Sequence, residues 1–227
     1  MEIYMEDHQI KYRYERKYLI PEVYLIKLTN AIYKQNYYPV YPDRMINNIY
    51  FDNYDLSSVK ENIEGLSKRK KYRIRWYGDT YKRSKKILEV KIKNEFVNRK
   101  LNIPLSNIKL DNLEEIDVFS NEIKNNLIEL KQYKQFNELN SRIPTLLNFY
   151  KRSYFGDIKK EIRITIDKEL YFYSPITKLK SREKLIVVEA KYNKDYSFDN
   201  YFNNFNFTRY SKYVKGILQT TTFNPSY

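Results

Sequence analysis

Cysteine is absent from all 227 residues, so disulfides, thiolate metal sites and cysteine nucleophiles are excluded. This lack fits a reducing compartment, and a cytoplasmic location is expected. Histidine occurs once, at His8 in a polar N-terminal stretch, which removes multi-histidine metal sites and gives histidine catalysis no partner. Four glycines leave no Walker A loop and no GxGxxG turn, so a P-loop or dinucleotide-binding site is ruled out. No apolar run approaches the ~18 residues of a membrane span. The opening "MEIYMEDHQIKYRYE" also lacks the apolar core of a signal peptide. The sequon at Asn206–Thr208 therefore carries no weight.

What is abundant is positive charge. Lys and Arg number 42 against 28 Asp and Glu, a net charge of +14. That excess implies an anionic partner: nucleic acid, an acidic membrane surface or a phosphate-rich small molecule. The richness in Lys, Asn, Ile and Tyr also suits an AT-rich coding sequence, so placement of the charge decides more than its total.

Period-2 alternation predicts strands at 11–20, 45–52, 70–78, 86–94, 145–155, 161–167, 169–174 and 184–192. Helices are expected at 21–36, with Pro21 at the first helical position, and at 53–65, ended by Gly65. Two more are expected, an insertion from Leu113 to Asn140 and a last helix over 209–221. No linker or repeat interrupts the chain, so one domain spanning 1–227 is expected, with a core at about 11–218. The fold class expected is α+β: an eight-stranded antiparallel tunnel with helices packed outside.

The alternation sorts the charges. "KYRIRW", residues 71–76, places Lys71, Arg73 and Arg75 on one face and Tyr72, Ile74 and Trp76 on the other. Arg13, Glu15 and Lys17 share a face of the first strand, and Glu89, Lys91 and Lys93 a face of the fourth. Tyr150 pairs with Arg152, Arg163 with Thr165 and Asp167, and Glu189 with Lys191. One such strand is the ordinary solvated side of an antiparallel sheet. Six of them, nearly pure in Arg, Lys and Glu and repeating "ExK" at 15–17, 89–91 and 189–191, point to an enclosed cationic lining. Such a lining repels itself unless an anion with several phosphates supplies counter-charge. Arg forks grip phosphate oxygens in pairs, Lys acts as a point charge, and the interspersed carboxylates suit a divalent metal.

The ordered set "RYERKYLI", "IYFDNYD", "KYRIRWYG", "LEVKIK", "YKRSYF", "RITIDKEL", "VVEAKY" and "RYSKYVKGI" resembles the VTC-domain polyphosphate polymerases of the triphosphate tunnel metalloenzyme superfamily. The resemblance covers about 11–218. It implies transfer of the γ-phosphate of a nucleoside triphosphate, ATP first, to a growing polyphosphate chain. The cofactor implied is a divalent metal, manganese ahead of magnesium. Lys17, Arg73, Arg75, Lys91, Arg152, Arg163, Lys191 and Lys212 are then the catalytic, phosphate-gripping residues. Arg13, Lys71, Lys93, Tyr150 and Ser211 join them in binding substrate, and Glu189, with Glu15 and Glu89, would hold metal. Lys212 and Ser211 come from a "SKY" helix that in the family closes against the tunnel.

Hydrolytic members of the superfamily carry "ExExK" on the first strand, whereas Arg13 stands here in the first glutamate position. Fewer carboxylates favour chain extension over hydrolysis. The chain is also expected to be a stand-alone prokaryotic form without the regulatory and membrane segments of eukaryotic relatives.

The alternatives are a tunnel triphosphatase or polyphosphatase and a non-catalytic module for polyphosphate or nucleic acid. Nucleic acid is disfavoured because the aromatics alternate with the cations and so mostly face away from them. Lys68, Arg69, Lys70, Lys82, Arg83, Lys85 and Lys86 are candidates for a tunnel mouth or a solvated loop. Asp52, Asp55 and Asp167 are candidates for caps or metal contacts, Asp167 also for orienting Arg163.

Overall fold

A computed structural model describes residues 13–78, 84–95, 97–108, 110, 112, 113, 115–157, 162–193 and 207–223, and among these lie nine strands and five α-helices. The strands are β1 Arg13–Pro21, β2 Tyr38–Asp52, β3 Lys68–Tyr77, β4 Ser84–Asn94, β5 Val97–Ile108, β6 Ile143–Gly156, β7 Arg163–Tyr173, β8 Lys180–Glu183 and β9 Leu185–Asn193. The helices are α1 Leu25–Tyr33, α2 Ser57–Ile63, α3 Ile116–Glu129, α4 Tyr133–Asn140 and α5 Lys212–Thr220. The strand order is β1-β9-β7-β6-β2-β3-β4-β5, with β8 on β7. Every described register is antiparallel. His8, Lys82, Arg83 and Asn206 lie outside the described residues, as does the side chain of Arg13.

The chain forms two compact units. The first comprises residues 1–43, 152–168 and 184–209, the second residues 44–151, 169–183 and 210–227. Strands β2, β6 and β7 each contribute residues to both.

In the first unit the apolar faces of β1 (Tyr18, Ile20), β9 (Ile186, Val188, Ala190) and β7 (Ile164, Ile166) share one buried cluster with Leu28 and Ile32 of α1. Leu28 and Ile32 are four apart and so lie on one side of the helix. Pro21 does not open α1. It caps a 3-10 turn, Glu22–Tyr24, that leads into the helix, because its ψ of 139° is extended.

In the second unit β3 contributes Tyr72, Ile74 and Trp76, β4 contributes Leu88 and Val90, and β5 contributes Ile103 and Leu105. Ile116, Phe119, Ile123 and Leu127 of α3 cover them, spaced so that one stripe faces the strands. Trp76 is fully buried, a placement worth about 1.5–3 kcal/mol for an aromatic of its size. The apolar half of "KYRIRW" is therefore core, as its alternation predicts.

Several boundaries differ from the sequence reading. The insertion is two helices, broken where Lys131 takes a left-handed φ of 56°. Two strands were expected at 161–167 and 169–174, whereas β7, Arg163–Tyr173, runs through the gap between them, with Glu169 at φ 54° an irregularity rather than a break. Strands β5 and β8 were not anticipated. β2 begins at Tyr38, and its first half is exposed while Ile46–Asp52 is buried on both faces.

Candidate phosphate-binding site

The cationic faces exist, and in each unit they are built from cross-strand rows. Residues directly opposite in an antiparallel pair share a face.

In the second unit, Tyr50, Arg73, Glu89 and Asn102 form one row across β2, β3, β4 and β5. Lys71, Lys91 and Lys100 form the next, and Asn48 pairs with Arg75. Glu89 is the hub of the first row. Arg73 reaches it through Nε at 2.5 Å and through its second terminal nitrogen, Lys100 at 2.5 Å, and Arg75 at 3.7 Å. Burial pushes the Glu89 carboxyl up, but Arg73, Arg75 and Lys100 overcome it and hold the pKa down to about 2. Burial lowers the Arg73 pKa, and Tyr50 and Glu89 more than reverse it, so the guanidinium stays charged.

Polar neighbours aim these cations. Arg75 Nε donates to Asn48 Oδ1 at 2.9 Å, and Asn48 Nδ2 donates to Asn148 at 2.8 Å. Lys71 Nζ donates to Asn62 at 2.5 Å and to Ser211 Oγ at 3.2 Å. Lys212 lies over the ring of the buried Tyr150, 4.7 Å from its centroid. Lys93 stands opposite Arg69, one further cationic pairing on β3 and β4. Three lysines side by side in a row, Lys71, Lys91 and Lys100, repel one another and favour a bound anion.

α5 delivers Lys212 to this cluster. Ser211 caps the helix by accepting from Val214 N–H at 3.4 Å. Tyr213 donates to Asp52 at 2.8 Å, shares a 2.9 Å hydrogen bond with Thr145 and stacks on Tyr50 at 4.7 Å. Burial and the neighbouring Asp52 carboxylate push the Tyr213 phenol well up, so it serves as a donor. Asp52 is thus a cap and an anchor: it also accepts from Ser58 N–H at 3.0 Å and Val59 N–H at 3.3 Å at the start of α2. Asp55 pairs with Lys60 at 3.7 Å on the surface.

In the first unit, Glu15 faces Lys191, Lys17 faces Glu189, and Arg163 and Thr165 of β7 continue those rows. The four charges alternate and bridge one another: Lys17 to Glu15 at 2.7 Å and Glu189 at 3.7 Å, Lys191 to Glu189 at 2.9 Å and Glu15 at 3.3 Å. Burial and Glu15 raise the Glu189 pKa, and Lys191 and Lys17 bring it below the usual range. Arg13 stands opposite Asn193. Arg163 is exposed. Asp167 does not orient it; the buried Asp167 holds Arg152 through two bonds of 2.5 and 2.7 Å.

One further expectation is corrected. Lys86 is neither mouth nor solvated. It is fully buried on the core face, over Trp76 at 5.1 Å and Phe119 at 5.6 Å, and donates to the Ile108 carbonyl. A register shift between Lys85 and Ile87 allows this reach. Most aromatics of the charged strands turn away from the cations as expected, Tyr72 and Trp76 into the core, while Tyr50 accepts from Arg73 at 3.4 Å and Tyr150 lies under Lys212. Of the remaining loop candidates, Lys68 and Lys70 pair with Glu95 at 3.8 Å and Glu138 at 2.7 Å, Arg69 donates to the Leu66 carbonyl, and Lys85 is exposed. Lys100, Tyr50, Asn48 and Asn62 were missed. Lys100 sits on the unanticipated β5, and the others carry no signal until register sets them beside an arginine or lysine.

Two carboxylates on one face suit a hard divalent cation of the magnesium or manganese kind, which is held by one or two carboxylates and substrate phosphates. Glu15 and Glu189 meet that description, both bridged by the same two lysines. Among the described residues there is no group of three or more metal-ligating side chains. No described helix is long and apolar enough to cross a membrane.

A structure of a candidate adenylate cyclase from Vibrio parahaemolyticus is similar to this chain at 12% identity and TM-score 0.49, over 93% of this chain and 100% of that one. One from Bacillus halodurans, likewise a candidate adenylate cyclase, matches at 12% identity and TM-score 0.45 over 80% of each chain. The Pyrococcus horikoshii protein PH1819 matches at 13% identity and TM-score 0.44, over 92% and 99%. No curated protein sequence matches the chain. The family model of the VTC domain matches residues 12–221, and with that span the chain belongs to the VTC-domain family.

Proposed function

We propose that the protein transfers the γ-phosphate of a nucleoside triphosphate, ATP first, onto the end of a polyphosphate chain. The observation that carries this reading is the cationic face of β3, β4 and β5, where Arg73 and Arg75 are held rigid around Glu89 beside the Lys71–Lys91–Lys100 row. Phosphoryl transfer needs little covalent chemistry from a protein; alignment and fixed positive charge supply it. Arg73 spends donors on Glu89 and Tyr50, and Arg75 on Asn48, yet each keeps further N–H groups of its five for phosphate oxygens. Because their partners already orient them, they meet developing charge without reorganising. The acceptor's terminal phosphate oxygen attacks the γ-phosphorus in line as the bond to the nucleoside diphosphate breaks. No protein nucleophile takes part.

The residues that would hold a metal are Glu189 and Glu15 of the first unit, where a divalent ion would supply charge neutralisation to phosphate oxygens bound at that face. Glu89 has a further job. Arg73, Arg75 and Lys100 converge on it, so besides its place as a metal candidate it fixes the arginines. Lys17, Lys191, Arg163 and Arg152 are the cations of the first unit's own face, and within the second unit Lys212 and Lys71 add to the charge of Arg73 and Arg75.

Incubation with ATP and manganese, resolved on a gel stained for polyphosphate, tests the reading. A ladder of polymer with stoichiometric ADP is expected. Orthophosphate or pyrophosphate in its place identifies a hydrolase, and no turnover identifies a binding module.

A further inference from the structure

We propose that Tyr50 is a phosphate-binding residue of this site, its hydroxyl donating to a phosphoryl oxygen held by Arg73 and Arg75; the assignment rests on the function proposed above. Tyr50 stands directly opposite Arg73 in the β2–β3 register, so its side chain projects from the cationic face. The residue is 6% exposed. Its hydroxyl oxygen accepts from Arg73 at 3.4 Å, which consumes a lone pair and leaves the O–H hydrogen to donate. Among the described residues no acceptor receives that hydrogen. The charges that act on it most strongly, Arg73, Arg75 and Lys212, are cations, and a cation offers no lone pair. A phosphate gripped by those three would present an acceptor beside them.

The ring is fixed as well. It stacks on Tyr213 at 4.7 Å with an interplanar angle of 13°, and Tyr213 is itself tied to Asp52 and Thr145. The hydroxyl is therefore preorganised, and removing it leaves the stack intact. A hydrogen bond to a charged acceptor is worth about 1.5–3 kcal/mol, or roughly 10- to 100-fold in affinity.

The test is calorimetric titration of inorganic tripolyphosphate into wild type and Tyr50→Phe at several salt concentrations, with thermal unfolding of both free proteins. Expected are a Kd at least about 10-fold weaker in the variant, an unchanged unfolding temperature, and the same dependence of binding on salt, since no cation is lost. An unchanged Kd overturns the assignment alone. A shallower salt dependence also overturns it, because the tyrosine would then act by positioning Arg73. If wild type fails to bind tripolyphosphate, the functional reading and this assignment fall together.

Discussion

Arg73 and Glu89 stand directly opposite each other on β3 and β4, and the arginine Nε meets the carboxylate at 2.5 Å. The pair explains how a face so rich in cations folds without a ligand, and it makes a prediction about pH. The folded pKa of Glu89 is about 2, below an unfolded value of 4.5. Its stabilisation is complete above the unfolded value and is lost as pH falls through the folded one, roughly 3 kcal/mol in all. Chemical denaturation of wild type and Glu89→Gln between neutral pH and pH 2 should show the gap between them narrowing as acid is added. A gap independent of pH contradicts the assignment.

Arg75 is held by Asn48 at 2.9 Å and lies near Glu89. Arg75→Ala is expected to lower kcat/KM for polyphosphate synthesis by about 100-fold or more, as loss of a fixed donor to developing charge does. Circular dichroism should show the fold intact. Steady-state kinetics with ATP checks the first outcome.

Glu189→Gln keeps the shape of the side chain but removes the charge shared by Lys17 and Lys191. The manganese concentration giving half-maximal synthesis should rise at least about 10-fold, and chelation should abolish wild-type synthesis reversibly. Titrating the metal against initial rate decides it.

Gly216 sits where α5 crosses β6 and β7. A Cβ there would meet Leu146 Cδ2 at 2.4 Å and Phe172 Cδ1 at 2.6 Å, so in Gly216→Ala either those side chains or the helix that carries Lys212 must shift. A cost of about 1–3 kcal/mol is expected, with a higher KM for ATP. Thermal unfolding and kinetics together measure it.

Lys86→Ala removes a buried amine from over Trp76 and Phe119 and leaves the Ile108 carbonyl without its donor. A loss of about 2–4 kcal/mol follows from the cavity and the orphaned carbonyl. The specific activity of the folded fraction should not change, because Lys86 lies on the core face.

Much of this was legible in the sequence because strand alternation is a strong signal. The faces of β1, β3, β4 and β9 fell as expected, and so did the apolar surfaces that α1 and α3 cover. Register was not legible. Nothing in "IYFD" or "NRKLNI" announces that Tyr50 will oppose Arg73 or that Lys100 will oppose Lys91, since both depend on how neighbouring strands slide. The β4 irregularity that buries Lys86 is likewise a property of the pair. Asp167 chose Arg152, one strand over, instead of Arg163 on its own strand. Side chains at i and i+4 of a strand share a face but are too far apart for the two bonds that Arg152 provides.

The most direct measurement follows the label from ATP carrying radioactive γ-phosphate. Wild type is expected to incorporate it into polymer while free orthophosphate stays near background, and Arg75→Ala is expected to incorporate little. Label released wholly as orthophosphate, or polymer made equally well by Arg75→Ala, would contradict the proposed transfer.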